Sequence, residues 1–299
     1  MKIPITFGDI AHREHTAKVT PLGISMIAAY AYKKFKDQIK IDIFKSADKC
    51  INHVEKEMPK IACFANYIWT ENLSYEIAKR LKKKDPNTIV VFGGPNYSLN
   101  EPQKQKQYLQ SHTDIDFYII GEGEQPFVQL LDVCFKYNFN VKKIKEEKIK
   151  VSGCHYLIDD EFVTSPMPLP IANLDDIPSP YLLGFLDKFL KGPDRLKALM
   201  QTTRGCPFSC TFCTEGNDYH NKVRRFSFER AKAEIQYLAK NAEYKVLSMA
   251  DSNFGMYKQD LDICREIAST MKSHNWPQGF EGMGGKNKKE RVLEATNII

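Results

Sequence analysis

Short apolar runs alternate with longer amphipathic stretches over the first 135 residues. Residues 39–44 (IKIDIF) place isoleucine at every second position, the period of a strand. Residues 60–65 (KIACFA), 88–92 (TIVVF) and 117–120 (FYII) are compact apolar runs, the last two ended by Gly93-Gly94-Pro95 and Gly121. Between them the period lengthens. Residues 21–35 carry Leu22, Met26, Ala29 and Tyr30 at helical spacing. In 73–84, Leu73, Ile77 and Leu81 share one face while Lys79, Arg80 and Lys82 to Lys84 lie largely elsewhere, and 127–135 closes the series. Strands alternating with helices predict an α/β unit with a parallel sheet covered on both faces. Ligands of such sheets bind at the carboxyl ends of the strands. Both glycine turns, 93–95 and 121–124, fall at such ends.

The pattern then changes. Residues 142–150 (KKIKEEKIK) form a solvated charged segment, and 154–158 with 162–164 read as a hairpin turning at Asp159-Asp160. Five prolines between 166 and 180 preclude a helix there and suggest an extended connector. From residue 196 the alternation resumes. It predicts strands at 198–203, 244–249 and 279–282, and helices at 227–241, capped by Ser227, at 260–273 and from 288 onward. The expected division is 1–140, a linker at 141–195, and 196–299. Three β-α units do not close a barrel, so the second domain is expected to be a truncated one.

Composition narrows the class. The 299 residues suggest two domains, and 43 Lys+Arg against 37 Asp+Glu leave +6. With 42% hydrophobic and 27% charged residues, the chain is neither a fibrous nor a wholly disordered protein. The longest near-apolar run, 22–32, is too short for a membrane span of about 20 residues, and no secretory signal opens the chain. The dispersed positive charge gives no reason to expect nucleic acid. Eight cysteines in a long, signal-free chain fit a reducing, cytoplasmic setting, where a cysteine cluster more often binds metal than forms disulfides.

Three of those cysteines are concentrated in one loop. Residues 204–213 read RGCPFSCTFC, a C-x₃-C-x₂-C spacing that follows a predicted strand. Cys206, Cys210 and Cys213 as thiolates on one loop suit an iron–sulfur cluster, with one iron of a 4Fe–4S cube left open. The alternatives are a Cys₃His zinc site completed by His220, and chance clustering of buried thiols. Phe208 and Phe212 read either as core aromatics or, for Phe212, as a ring packed against a cofactor.

This motif, with an aromatic before its last cysteine and Arg204-Gly205 and Pro207 around its first, resembles the radical S-adenosylmethionine (SAM) superfamily. The resemblance implies a (β/α) radical SAM barrel over 196–299, a 4Fe–4S cluster on the three cysteines, and SAM bound at the open iron and cleaved to methionine and a 5′-deoxyadenosyl radical. The family's Gly-Gly-Glu motif is replaced here by Met249-Ala250-Asp251-Ser252-Asn253-Phe254. That form resembles the subgroup with a cobalamin-type domain before the barrel. It makes Asp251 a candidate polar contact near SAM, with a loop aspartate as the alternative, and Arg224 or Arg225 a candidate basic position or a surface residue.

The order TPLGISMIAAYAY, FGGPN, IIGEGE over roughly 18–135 is similar to that cobalamin domain, which implies a Rossmann-like (flavodoxin-like) fold. Gly93, Gly94, Gly121 and Gly123 would allow close approach of a bulky ligand, or be merely tight turns. The D-x-H-x-x-G cobalt-ligand motif is absent: Asp9-Ile10-Ala11-His12-Arg13-Glu14 lacks its spacing and its glycine, so neither His12 nor His15 is expected to ligate cobalt. The leading expectation is a cobalamin-dependent radical SAM enzyme that methylates an unactivated carbon. Its substrate would be a small molecule or peptide-like, and its electron donor a flavodoxin or ferredoxin. Ring rearrangement or cyclisation, a cobalamin-independent radical SAM enzyme, and a cysteine-rich metal-binding module stand as alternatives.

Overall fold

The structure, a computed structural model, describes residues 2–12 and 18–299; His15 lies outside the described residues. The chain divides into two compact units, residues 1–17 with 23–169 and residues 18–22 with 170–299.

The first unit is built on a seven-stranded sheet. Strands β1 (Ile3–Ala11), β2 (Ile39–Ser46), β3 (Ile61–Ala65), β4 (Ile89–Gly93) and β5 (Phe117–Ile119) lie parallel in the order 2-1-3-4-5. This is the flavodoxin-like winding, whose order reverses between β1 and β3. Helices α1 (Leu22–Phe35), α2 (Ala47–Lys56), α3 (Glu71–Lys84) and α4 (Pro102–Ser111) form the crossovers, and α5 (Glu124–Lys136) follows β5. Because successive strand residues face opposite ways, Ala62, Phe64, Val90 and Phe92 pack with Cys50 and Val54 of α2, Ile77 and Leu81 of α3 and Leu109 of α4. On the other side, Phe7 meets Phe127 of α5 edge-on, 5.3 Å between ring centres.

Strand β1, paired on both sides by β2 and β3, is absent from the strands predicted by pattern. Thr6, Gly8 and Asp9 break its apolar alternation, and Pro4 sits near its start, yet Ile5, Phe7 and Ile10 are buried. After α6 (Val141–Glu146), the predicted hairpin forms β6 (Cys154–Ile158) and β7 (Glu161–Val163), which extend the sheet antiparallel beyond β5. The segment 141–195 is therefore shared: its hairpin completes the first sheet, and residues from 170 onward belong to the second unit.

The second unit holds a three-stranded parallel sheet of β8 (Ala198–Met200), β11 (Val246–Met249) and β12 (Gly279–Glu281), ordered 12-11-8. The short strands β9 (Thr203–Arg204) and β10 (Arg224–Arg225) pair antiparallel beside it. Helices α7 (Phe228–Asn241), α8 (Lys258–His274) and α9 (Lys289–Ile298) follow β10, β11 and β12. Ser227 caps α7 as its sequence predicts, accepting from the Arg230 amide at 3.2 Å.

Candidate functional site

The cysteine loop leaves the carboxyl end of β8 through β9 and returns through β10. Pairing of Arg204 with Arg224 and Thr203 with Arg225 closes its base. Gly205, the residue before the first cysteine, has φ of 94°, and a Cβ there would lie 2.7 Å from the carbonyl oxygens of both His220 and Lys222. Only glycine permits that backbone packing. The Cys206 amide donates to His220 O at 2.8 Å, and turns at Cys213 N to Cys210 O and Gly216 N to Cys213 O, each 3.0 Å, fold the loop's far end.

All three cysteines are free thiols, graded in exposure from Cys206, buried at 8%, through half-buried Cys210 to exposed Cys213. A tetrahedral zinc site with Zn–S near 2.3 Å needs its sulfurs about 3.8 Å apart. Among the described residues, the one set of three ligating side chains gathered within 4.8 Å is Asp42, His53 and Glu57 in the first unit, where Lys40 pairs with both carboxylates. Three free thiols on one loop pinned at its base are the ligand set on which the cluster proposal rests.

Three consecutive residues after β11 hold this loop. Asp251, 2% exposed, accepts from the Thr202 amide at 3.0 Å, from Thr202 Oγ1 at 2.7 Å and from Thr203 Oγ1 at 2.5 Å. Burial pushes its carboxyl above the usual carboxylate range, against the pull of those donors. Ser252 donates to Glu215 within the loop. Asn253, itself buried, donates from Nδ2 to Cys206 Sγ at 3.1 Å. Residues 251–253 thus clamp the base, the far part and the first sulfur of the loop. Phe212 is 83% exposed, with the Lys286 ammonium 5.6 Å from its ring centre. Arg224 is buried and donates to Ile171 O, while the Arg225 guanidinium stacks over Tyr257 at 4.0 Å. Sequence reasoning singled out Asp251 but missed Asn253 and Glu215, whose contacts cross 47 and 37 residues of chain.

In the first unit, the carboxyl ends of β1, β3 and β4 carry a second group of residues. The Gly94 backbone, φ 130°, crosses that of Asn66 so closely that a Cβ would fall 2.6 Å from Asn66 O. Added methyls at Gly93 and Gly123 would meet Ile119 O at 3.1 Å and the Ile27 side chain at 2.7 Å. These three glycines are therefore explained by packing within the unit; Gly121 has φ of 68°, which a glycine turn accounts for. Asn66 Nδ2 donates to the Tyr118 and Tyr108 hydroxyls at 3.0 and 2.9 Å, and Tyr97 stacks on Tyr118 with ring centres 3.9 Å apart. Desolvation raises the phenols of Tyr97, Tyr108 and Tyr118, so they stay neutral donors. Beyond the end of β3, Ile68 and Trp69 are 74% and 55% exposed, with Trp69 stacked on Tyr67. Sequence reasoning missed this pair. Its signal was an aromatic-rich YIW directly after a strand. His12, at the end of β1, is exposed.

Comparison with known proteins follows this division. Residues 10–131 match the family model described as the B12 binding domain. TokK of Streptomyces tokunonensis, a cobalamin-dependent radical SAM methyltransferase, is 30% identical over 242 residues, 80% of this chain and 34% of that protein. An anaerobic magnesium-protoporphyrin IX monomethyl ester cyclase of Rubrivivax gelatinosus is 26% identical over 203 residues, 67% of this chain and 34% of that protein. The chain thus spans about a third of the length of these two curated relatives. The solved structure of OxsB, a cobalamin-dependent SAM radical enzyme with aqua-cobalamin and SAM bound, superposes with TM-score 0.68 at 17% identity, covering 99% of this chain and 42% of that one. The expected architecture, a Rossmann-like domain followed by a radical SAM-type β/α unit, is the fold observed.

Proposed function

We propose that the chain is a radical SAM enzyme with an N-terminal B12-binding domain, that it holds a 4Fe–4S cluster and cobalamin, and that it transfers a methyl group to an unactivated carbon. The observation that carries this reading is the cysteine loop: three free thiols at C-x₃-C-x₂-C spacing, closed at the base and clamped by residues 251–253. Cys206, Cys210 and Cys213 would hold the cluster as thiolates. A 4Fe–4S cluster held by these three cysteines would have one iron for SAM to bind. When bound, the cluster supplies the electron that cleaves SAM, and cobalamin carries the methyl group.

The chain's own residues position and shield. Asp251 fixes the turn at Thr202 and Thr203 from which the loop springs, so its effect on SAM is through placement of the loop. Ile68 and Trp69 offer an exposed apolar surface where the strand order reverses, the place such sheets bind ligands. A corrin face laid on them would remove that surface from water and keep solvent from the cobalt. At the neighbouring strand ends, Asn66 bonds the hydroxyls of Tyr108 and Tyr118 and the Asn96 backbone, which fixes the strand ends beside that surface. A small-molecule or peptide-like substrate and a flavodoxin or ferredoxin as electron donor complete the proposal.

Cyclisation is the second reading, favoured by the alignment with the cyclase; the methyltransferase aligns over more of the chain. The test is anaerobic reconstitution with iron and sulfide, hydroxocobalamin and SAM. Iron retained with a broad band near about 400 nm, reductive release of 5′-deoxyadenosine or S-adenosylhomocysteine, and bound corrin are expected. A colourless protein that takes up zinc instead would refute it.

A further inference from the structure

We propose that Asn253 is a positioning residue that sets the reduction potential of the cluster through the sulfur of Cys206, an inference that rests on the reading above. The three cysteines differ in what surrounds them. Cys210 and Cys213 face solvent to differing degrees, whereas Cys206 is buried and has the Asn253 amide at 3.1 Å from Sγ. An N–H···S contact at that distance is short for sulfur, and an asparagine amide turned toward sulfur through its nitrogen offers a donor to an atom that, as a thiolate, can only accept. The amide is also held where it can act. Its chain neighbours Asp251 and Ser252 each bond the same loop, and the Met256 amide donates to Asn253 O at 3.2 Å.

Reduction puts added negative charge onto iron and its sulfurs, so a donor aimed at one sulfur is strengthened in the reduced state. Hydrogen bonds to the sulfurs are among the factors that set the potentials of such clusters. Burial amplifies the effect, because solvent cannot replace the lost donor at Cys206 as it can at Cys213. Removing the amide should therefore disfavour reduction by about tenfold in equilibrium constant, a fall of about 59 mV for one electron.

The experiment uses the full chain, reconstituted anaerobically, with the potential read by redox titration of the visible and electron-paramagnetic-resonance signals. Asn253→Leu removes the donor while keeping the number and branching of side-chain heavy atoms, and Asn253→Asp keeps the shape while presenting an acceptor to the sulfur. Both should hold about wild-type iron and titrate at lower potential, with Asp at or below Leu. Ser252→Ala, which loosens the loop through Glu215 without touching sulfur, should titrate with the wild type. A wild-type protein that holds no cluster refutes the functional reading itself. A loaded wild type with Leu and Asp variants of unchanged potential, or a shift in Ser252→Ala equal to theirs, overturns the role assigned to Asn253. So does failure of both Asn253 variants to assemble a cluster while their circular dichroism matches the wild type, since the amide would then serve retention alone.

Discussion

Gly94→Ala tests the account of the first unit most directly. One methyl group is added at φ 130°, a conformation that side chains other than hydrogen rarely adopt, and it points at the Asn66 backbone: 2.6 Å from the oxygen, 3.0 Å from the nitrogen. Neither atom belongs to a flexible side chain that could swing away. The backbone strain costs about 1–3 kcal/mol. Relief of the overlap must move Asn66 or Gly94, which are tied by Asn66 N to Gly93 O at 2.7 Å, Asn96 N to Asn66 O at 3.2 Å and Tyr118 OH to Gly94 O at 3.0 Å. Loosening two of these adds about 1 kcal/mol each. The total, about 3–5 kcal/mol, is a large part of a typical folding free energy of about 5–15 kcal/mol. Gly23→Ala is the control. Gly23 is exposed near the start of α1, with nothing within 4 Å of the added methyl, so alanine should be neutral or stabilising by up to about 1 kcal/mol. Urea unfolding followed by hydrogen exchange in peptides spanning 61–97 and 246–281 separates the units. Exchange should accelerate in the first span for Gly94→Ala and remain unchanged in the second. A Gly94→Ala protein within about 1 kcal/mol of wild type would refute the reasoning. It follows that a bulky residue at Gly94 cannot serve as a clean probe of ligand binding, because it disturbs the fold before any ligand arrives.

Three other outcomes are expected. Alanine at Cys206, Cys210 or Cys213 singly should abolish stable iron incorporation after anaerobic reconstitution, whereas Cys264→Ala, in the core of α8, should keep it; iron and sulfide analysis decides. Trp69→Ala should weaken binding of hydroxocobalamin roughly ten- to seventyfold, from about 50–100 Å² of apolar surface at about 25 cal/mol per Å², as read by equilibrium dialysis; unchanged affinity would remove the corrin from that surface. Burial, with the nearby Asp251, raises the Asp260 carboxyl to about 6 from 3.8. The folded state then holds the proton more tightly, so this group's contribution to stability falls as pH rises between about 4 and 6, by at most about 3 kcal/mol. Asp260→Asn should flatten that slope in denaturation measured from pH 4 to 7, and an unaltered slope would contradict the shift.

What the sequence disclosed follows from how local each signal is. Strands β3, β4 and β5 are buried on both faces, so their apolar runs are continuous and stand out. Strand β1 escaped because Thr6 is buried within it while its apolar residues are interrupted by glycine and aspartate. Helices α2 and α4 escaped for the opposite reason. In α4 only Gln105 and Leu109 are buried, and in α2 only Cys50 and Val54, so a largely polar surface hides a narrow apolar stripe. The hairpin was legible as a hairpin, but its place beside β5 was not, since Tyr118 finds His155 across 37 positions.

The same distinction explains the candidate site. Cys206, Cys210 and Cys213 lie within eight residues, so their spacing alone carries chemical meaning. The groups that make the loop a site are distant in sequence and ordinary in type: an asparagine, a serine, a buried aspartate and two threonines. Asp251 was noticed for its position relative to a missing motif, yet its oxygens are taken up by Thr202 and Thr203. A buried carboxylate surrounded by three donors is costly to assemble and costly to break. That cost falls on the turn that launches the cysteine loop, where a cluster held by the three cysteines would most need rigidity. On the proposed reading, the 251–253 clamp would fix the loop from outside without itself supplying a ligand to the cluster.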